Sequence, residues 1–104
     1  MTQASPQQYQ LFINGEEVAP LSEQTFESIN PATGAVIAHV AQGNEQDVDR
    51  AVKAARKAHE SGVWSKMPAA QRSIILNRMA DLMQENLPSL AALETQDNGK
   101  PINE

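Results

Sequence analysis

The sequence predicts two β-hairpins followed by two to three α-helices, arranged as one continuous segment. Two observations support this order. In residues 9–13 and 36–40, apolar residues recur at every second position, which is the spacing of strands. In later residues they recur every three or four positions, as on one face of a helix. No repeat or low-complexity stretch interrupts the 104 residues, and no clear domain boundary is visible.

The first hairpin is predicted at Asn14-Gly15, because both residues accept the positive φ angles of a tight turn. One strand is expected at residues 9–13, and a short return strand at about residues 16–19. Residues 1–8 are polar, and we expect them to form a flexible tail.

The second hairpin is predicted from two β-prone runs, residues 25–29 and residues 36–40, which flank a turn at residues 30–34. Pro31 fixes its own φ angle, and Gly34 frees the exit of the turn. Two hairpins are marginal in water without further strands or a packed face, so this half of the chain is expected to need support.

The first helix is predicted to begin after Asn44, a good N-cap residue, and to end at Gly62. Glu45 and Asp47 in its first turn interact favourably with the helix dipole. A narrow, alanine-rich stripe should pack closely against another element. The stripe consists of Val48, Ala51, Val52, Ala55 and Ala58.

Two further helices are predicted on either side of Pro88, which can open the third helix. Pro68 suits the first turn of the second helix, and Asn98-Gly99 tolerates the left-handed turn that ends the third. Trp64, between the first two helices, is expected to anchor them by packing. The apolar face of the second helix consists of Ile75, Leu76, Met79, Leu82 and Met83.

The composition predicts a thin hydrophobic core. Leu, Ile, Val and Phe account for 21 of the 104 residues, and much of the remaining apolar content is alanine, which buries little area. The net charge is −5, and the eight Lys and Arg residues are scattered, which argues against nucleic acid and anionic membranes as partners. No apolar run could span a membrane, and the first ten residues lack the character of a signal or transit peptide. We therefore expect a cytoplasmic protein.

Residue spacing alone predicts no catalytic or cofactor-binding residue. There is no cysteine, and the two histidines, His39 and His59, lie on different predicted elements without further ligands nearby. The five glycines form neither a dinucleotide-binding fingerprint nor a P-loop. Asp47 and Asp49 are two positions apart on a helix, so they cannot act as a paired acid and base.

Four stretches, taken together and in this order, resemble the start of the NAD(P)-dependent aldehyde dehydrogenase family. They are residues 11–16 (LFINGE), residues 26–34 (FESINPATG), the helix from Asp47 to Ala58 followed by Trp64, and residues 93–101 (LETQDNGKP). The resemblance runs from about residue 9 to residue 104.

This resemblance implies that residues 9–104 are the N-terminal part of a Rossmann-like α/β coenzyme-binding domain that a longer subunit completes. In that family the catalytic cysteine, the general-base glutamate and the cofactor-contacting segments come later in the chain. The resemblance therefore implies NAD or NADP as the cofactor of the whole subunit. It implies the rest of that subunit as the partner, and a homodimer or homotetramer as the assembly. It transfers no catalytic or cofactor-binding residue to this chain.

The resemblance also implies a candidate site for sodium or potassium. Its ligands would be the backbone carbonyls of Ser28 and Ile29 and the side chain of Asp97. Carbonyl oxygens with one carboxylate suit a hard monovalent cation. The alternative is that Asp97 only supports the helix end and the following turn, which is the stronger expectation for this chain by itself.

Two functional hypotheses follow. In the first, the chain is the N-terminal fragment of an enzyme that oxidises an aldehyde to a carboxylic acid with NAD(P)+, and the 104 residues alone are inactive. In the second, it is a non-catalytic, truncated α+β module that docks onto another protein. The thin core and the alanine-rich stripe fit the partner-dependent fold of the second hypothesis.

Overall fold

The computed structural model describes residues 5–104, which form five strands and three helices. The strands are β1 (Gln7–Tyr9), β2 (Leu11–Ile13), β3 (Glu16–Val18), β4 (Thr25–Ile29) and β5 (Val36–Ala41). The helices are α1 (Glu45–Ser61), α2 (Ala69–Glu85) and α3 (Leu87–Asn98). The predicted order of strands followed by three helices is confirmed.

The Asn14-Gly15 hairpin is confirmed. Strands β2 and β3 pair antiparallel, and Ile13 lies opposite Glu16 at the turn. Asn14 has a φ angle of 55° and Gly15 a φ angle of 77°. Two consecutive positive φ angles define a type I′ turn, whose twist matches that of the strands it joins.

The N-terminal run differs from the sequence prediction. The single strand expected at residues 9–13 is wrong, because Gln10 separates β1 from β2 and the two strands lie in different sheets. β1 begins at Gln7, within the stretch predicted to be a tail, and pairs in parallel with β5. A period-two pattern indicates a strand without identifying its partner, and this partner lies far along the chain. Residues 1–4 of the predicted tail lie outside the described residues.

The second hairpin forms most of a three-stranded sheet in the order β1-β5-β4. β4 and β5 pair antiparallel, with a register shift between Ser28 and Ile29. The turn between them is closed by a hydrogen bond from the Asn30 amide to the Ala35 carbonyl at 2.9 Å. The buried residues of this sheet are Ala38 and Ala41, both on β5.

Both ends of α1 lie where the sequence predicts. The Asn44 side chain accepts a hydrogen bond from the Asp47 amide at 2.9 Å, and the Asp47 carboxylate accepts one from the Asn44 amide at 3.0 Å. This reciprocal pair is a capping box. Gly62 ends the helix with a φ angle of 78°.

The buried face of α1 is rotated from the predicted stripe. Asp47 is buried and Ala51 and Ala54 are half-buried, whereas Val48 is 60% exposed and Val52 is also exposed. The hydrogen bonds of Asp47 bring that residue inward, and residues three or four positions apart on a helix share its face. The face that results contacts β2.

The α2–α3 pair is joined at Asn86, and Pro88 lies in the first turn of α3, as predicted. The Asn86 side-chain amide donates to the Leu82 carbonyl at 2.8 Å and so closes the end of α2. No residue of α2 or α3 is buried. Trp64 is 40% exposed, so more than half of its surface is covered, and its anchoring role stays a prediction.

The described chain is more open than a self-contained domain of its size. Its Cα radius of gyration is 17.5 Å, compared with about 13 Å for a compact chain of this length. Its accessible surface is 8386 Å², compared with roughly 5,700 Å² for a folded monomer of this mass. The thin core that the composition predicts is confirmed. Among the described residues, no helix combines the length and apolar character that crossing a membrane requires.

Candidate functional site

The candidate site lies where β4 meets the last turn of α3. The Ser28 hydroxyl donates a hydrogen bond of 2.5 Å to Oδ1 of Asp97, across 69 positions of sequence. Ile29 follows Ser28 directly, at the register shift of the β4–β5 ladder. The structure therefore brings Ser28 and Asp97 together, through the Ser28 hydroxyl and not through its predicted backbone carbonyl, and Ile29 follows Ser28 along the chain.

The turns that follow these two elements also touch. Gly99 caps α3 with a φ angle of 81°, and its amide donates to the Thr95 carbonyl at 2.9 Å. A Cβ atom on Gly99 would lie 3.1 Å from Cγ of Pro31. Glycine at this position thus provides both the left-handed angle and the close approach to the β4–β5 turn.

The oxygen atoms at this junction suit a hard cation. Asp97 contributes a carboxylate and Ser28 a hydroxyl. The register runs from Ser28 opposite Ala38 to Ile29 opposite Val36, so the residue that the shift leaves unpaired is Ile37 on β5. Among the described residues, no three or more His, Cys, Asp or Glu side chains converge as a metal site. One carboxylate with neutral oxygens therefore fits a monovalent ion better than a multivalent one.

A groove of about 330 Å³ lies beside the Ser28–Asp97 pair, between α3 and the strands β1 and β5. Its wall is mainly apolar, and Gln7, Glu94 and Gln96 add polar groups. Its apolar lining consists of Tyr9, Ile37, Ala38, Val40, Leu90 and Leu93. Of these, Tyr9 and Leu93 are exposed. The groove therefore combines an apolar wall with the polar Ser28–Asp97 pair at its edge.

A second polar centre, which we call the Asp47 clamp, joins the β3–β4 loop to the start of α1. Asp47 is only 2% exposed and accepts hydrogen bonds from the backbone amides of Leu21, at 3.2 Å, and Asn44, at 3.0 Å. Nη2 of Arg50 lies 2.5 Å from its Oδ1 and also donates to the Ala19 carbonyl at 3.3 Å. The Asp47 carboxylate therefore contacts the backbone at Leu21 and Asn44 directly, and the backbone at Ala19 through Arg50.

The environment of Asp47 favours its ionised form. Burial opposes the charge, but hydrogen bonds from the Asn44 amide, the Arg50 side chain and the Leu21 amide outweigh it. Together they hold the pKa of Asp47 below its ordinary value. Sequence reasoning assigned this residue only to the helix dipole. The spacing Asn44-x-x-Asp47 was the signal for the capping box, whereas nothing local indicated the contact with Leu21.

The two histidines lie in separate elements, His39 in β5 and His59 in the last turn of α1. In the part of the chain that the structure describes, neither belongs to a cluster of metal-ligating side chains. The oxygen pair of Ser28 and Asp97 thus remains the candidate site.

The α2–α3 pair carries a broad uncovered apolar surface. A groove of about 760 Å³ runs between α2, α3 and residues 100–104. The exposed apolar side chains of the two helices are Ile74, Ile75, Leu76, Met79, Leu82, Met83, Leu87, Leu90 and Leu93. Large apolar side chains left exposed in this number mark a place where further protein packs.

Sequence comparison finds a clear family match. Residues 18–104 match the profile described as the aldehyde dehydrogenase family. The chain is 54% identical over 92 residues to "Aldehyde dehydrogenase family 2 member B4, mitochondrial" of Arabidopsis thaliana. It is 53% identical over 93 residues to "Aldehyde dehydrogenase, mitochondrial" of Homo sapiens. Both alignments cover 88% of this chain but only 17% and 18% of the relatives, so the chain spans less than a fifth of their length.

Solved structures with the same fold agree. A NAD+ complex of aldehyde dehydrogenase from Bacillus cereus superposes with a TM-score of 0.88 at 47% identity, covering 93% of this chain and 20% of that one. Betaine aldehyde dehydrogenase from Staphylococcus aureus, also in complex with NAD+, superposes with a TM-score of 0.87 at 40% identity. That match covers 89% of this chain and 18% of the other.

Proposed function

The chain belongs to the aldehyde dehydrogenase family, and from that premise we propose that residues 9–104 are the N-terminal part of a coenzyme-binding domain in a longer subunit. One observation carries this proposal: the apolar faces of α2 and α3 are uncovered, and neither helix has a buried residue. Helices with apolar faces are stable in water when those faces pack against other elements. The match to less than a fifth of each relative supports the same conclusion.

The whole subunit would oxidise an aldehyde to a carboxylic acid. Water supplies the added oxygen, and a hydride passes from the aldehyde carbon to NAD+ or NADP+. NAD+ in two of the similar structures supports a nicotinamide cofactor for the subunit. The 104 residues contain no cysteine and no glycine-rich phosphate-binding motif, so we assign them a scaffold role and expect no activity from them alone.

Within the subunit, Ser28, Ile29 and Asp97 would bind sodium or potassium. The Ser28–Asp97 hydrogen bond supports this assignment, because it places the hydroxyl oxygen of Ser28, and the backbone next to it, beside the Asp97 carboxylate. The ion would join β4 to the end of α3. Its test is the thermal midpoint of an active subunit in sodium or potassium chloride against choline chloride at equal ionic strength. We expect the smaller ions to raise the midpoint, and Asp97→Asn to abolish the difference.

We propose a homodimer or homotetramer in the cytoplasm, with the rest of the subunit as the immediate partner of this segment. Several curated relatives are named as mitochondrial proteins, so cell fractionation with a tagged full-length protein is the appropriate test. Recovery of the tag in the mitochondrial fraction would contradict the cytoplasmic assignment.

A second candidate function is a non-catalytic module that docks onto another protein. The uncovered α2–α3 surface favours it as well, since any partner with a complementary apolar face could cover that surface. The coding sequence beyond Glu104 distinguishes the two. An open frame that encodes a cofactor segment and a later cysteine supports the enzyme, and a stop codon supports the module.

The direct experiment is a graft. Residues 9–104 replace the matching segment of human mitochondrial aldehyde dehydrogenase, to which the chain is 53% identical, and NADH formation is measured with a simple aldehyde. We expect an active graft and an inactive isolated chain. A folded graft without activity, or NADH production by the isolated chain, would contradict the scaffold role.

A further inference from the structure

The chain contains two Asn-Gly pairs that differ in how the fold holds them. Asn14-Gly15 forms the exposed tip of the β2–β3 hairpin, and the space around Gly15 is open for 4 Å from a Cβ position. Within the described residues, neither the Asn14 side chain nor the Gly15 amide makes a hydrogen bond. At Asn98-Gly99 both groups are engaged. The Gly99 amide donates to the Thr95 carbonyl at 2.9 Å, and Asn98 Oδ1 accepts from the Lys100 amide at 2.8 Å.

This difference has a chemical consequence, because asparagine before glycine can lose ammonia without an enzyme. The glycine nitrogen loses its proton to base and attacks the side-chain carbonyl carbon of the asparagine. A new C–N bond closes a cyclic imide, and the bond to the side-chain nitrogen breaks to release ammonia. Water then opens the imide at either carbonyl and leaves aspartate or isoaspartate. A hydrogen bond from the attacking nitrogen must break first, which slows the reaction.

From this contrast we propose that Asn14 is a site of spontaneous deamidation, whereas the C-terminal cap of α3 protects Asn98. The Gly15 amide donates no backbone hydrogen bond and both residues of the turn are exposed, so the fold restrains the reaction little at residue 14. At residue 98 the reaction requires the loss of the Gly99 hydrogen bond that ends the helix. The proposal does not depend on the function proposed above.

The two products would affect the hairpin differently. Aspartate keeps the turn, because Asp-Gly also suits a type I′ geometry. Isoaspartate routes the backbone through the side chain and lengthens a two-residue loop by one methylene group, so Ile13 and Glu16 no longer oppose each other. Since β2 is the strand that contacts α1, isoaspartate at residue 14 would loosen that contact.

The test follows both asparagines by peptide mapping in the graft, where further protein covers α3. The graft is incubated at mildly alkaline pH in native buffer and in concentrated urea, and aspartate and isoaspartate are quantified against time at both positions. Each native rate is divided by the rate of the same position in urea. We expect a ratio near one for Asn14 and a ratio at least about fivefold lower for Asn98, because one backbone hydrogen bond must open there.

The variant Asn14→Gly serves as the matched control, since Gly-Gly keeps the turn but has no side-chain amide. It should form no isoaspartate at position 14 and leave the rate at Asn98 unchanged. Equal ratios of native rate to urea rate at Asn14 and Asn98 would overturn the proposal, because they would show that the fold slows deamidation equally at both positions.

Discussion

The first turn of α1 and the α2–α3 pair differ in how far other residues of the same chain bury them. In the first turn of α1, Asp47 is 2% exposed, and its hydrogen-bond partners all come from residues 21–50. In the α2–α3 pair no residue is buried, and Leu82, which belongs to an apolar face, is 41% exposed. The first region finds hydrogen-bond partners for its buried carboxylate within the chain. The second leaves its apolar side chains exposed to water.

This difference shows which interactions a short segment can complete by itself. A polar network needs a few well-placed donors, and the loop before β4 supplies them close to the helix start. An apolar helix face needs an opposing surface of comparable area, and the described residues bury no residue of α2 or α3. The segment should therefore be ordered around the Asp47 clamp and dependent on further protein along α2 and α3.

The largest effect is expected from charging the uncovered face. In the graft, Leu82→Glu with Leu93→Glu should prevent assembly of an active subunit. Each replacement loses about 2–3 kcal/mol of side-chain burial and places a charge in an apolar contact. The loss of assembly is measured as the yield of folded subunit, and the loss of activity as the rate of NADH formation. In the isolated chain the same pair of changes should reduce aggregation and leave the far-UV circular dichroism spectrum nearly unchanged.

The matched control for that experiment is Asp81→Lys with Glu85→Lys, two charge changes at exposed positions of α2 that already carry charge. These variants should keep most of the graft's activity. Retained activity after the leucine changes would show that the α2–α3 surface stays in water within the subunit.

The next largest effect is expected from breaking the Asp47 clamp. Asp47→Asn keeps the size of the side chain but loses the charge that Arg50 and two backbone amides contact. The urea midpoint of the graft should fall, and amide exchange at residues 19–24 should accelerate even in the isolated chain. Asp49→Asn is the control, because Asp49 is exposed and pairs only with Lys53 on the surface. Equal losses in the two variants would rule out a special role for Asp47.

A smaller, graded effect is expected from pH. Because the pKa of Asp47 is lowered in the folded chain, its contribution to stability is fully present above the unfolded pKa of about 3.9. That contribution is lost as the pH falls through the lower, folded pKa. Amide exchange at residues 19–24, corrected for its intrinsic pH dependence, should accelerate at the acidic end of a titration. This extra acceleration should be absent in Asp47→Asn.

Local chemistry made part of this structure predictable. The positive φ angles of Asn14-Gly15 and the cap at Asn44 each depend on one or two neighbouring residues. The position of Pro88 also depends on local chemistry. Amides in the first turn of a helix have no partner within the helix, so the missing N–H of proline costs nothing there.

Non-local contacts made the rest unpredictable from residue patterns. The parallel pairing of β1 with β5 and the bond from Leu21 to Asp47 join positions that are far apart in sequence. The inward rotation of Asp47 follows from that bond and turns Val48 toward solvent. The contact of Ser28 with Asp97 was anticipated only through the family resemblance, because no periodicity relates two residues on a strand and a distant helix.

Hydrogen exchange tests the central claim most directly, when it is measured on the isolated chain and on the graft under the same conditions. We expect amides at the start of α1, beside the Asp47 clamp, to be protected in both samples. We expect amides of α2 and α3 to exchange rapidly in the isolated chain and to become protected in the graft. Strong protection of α2 and α3 in the isolated, monomeric chain would contradict the account, because it would show that these helices need no further protein to cover them.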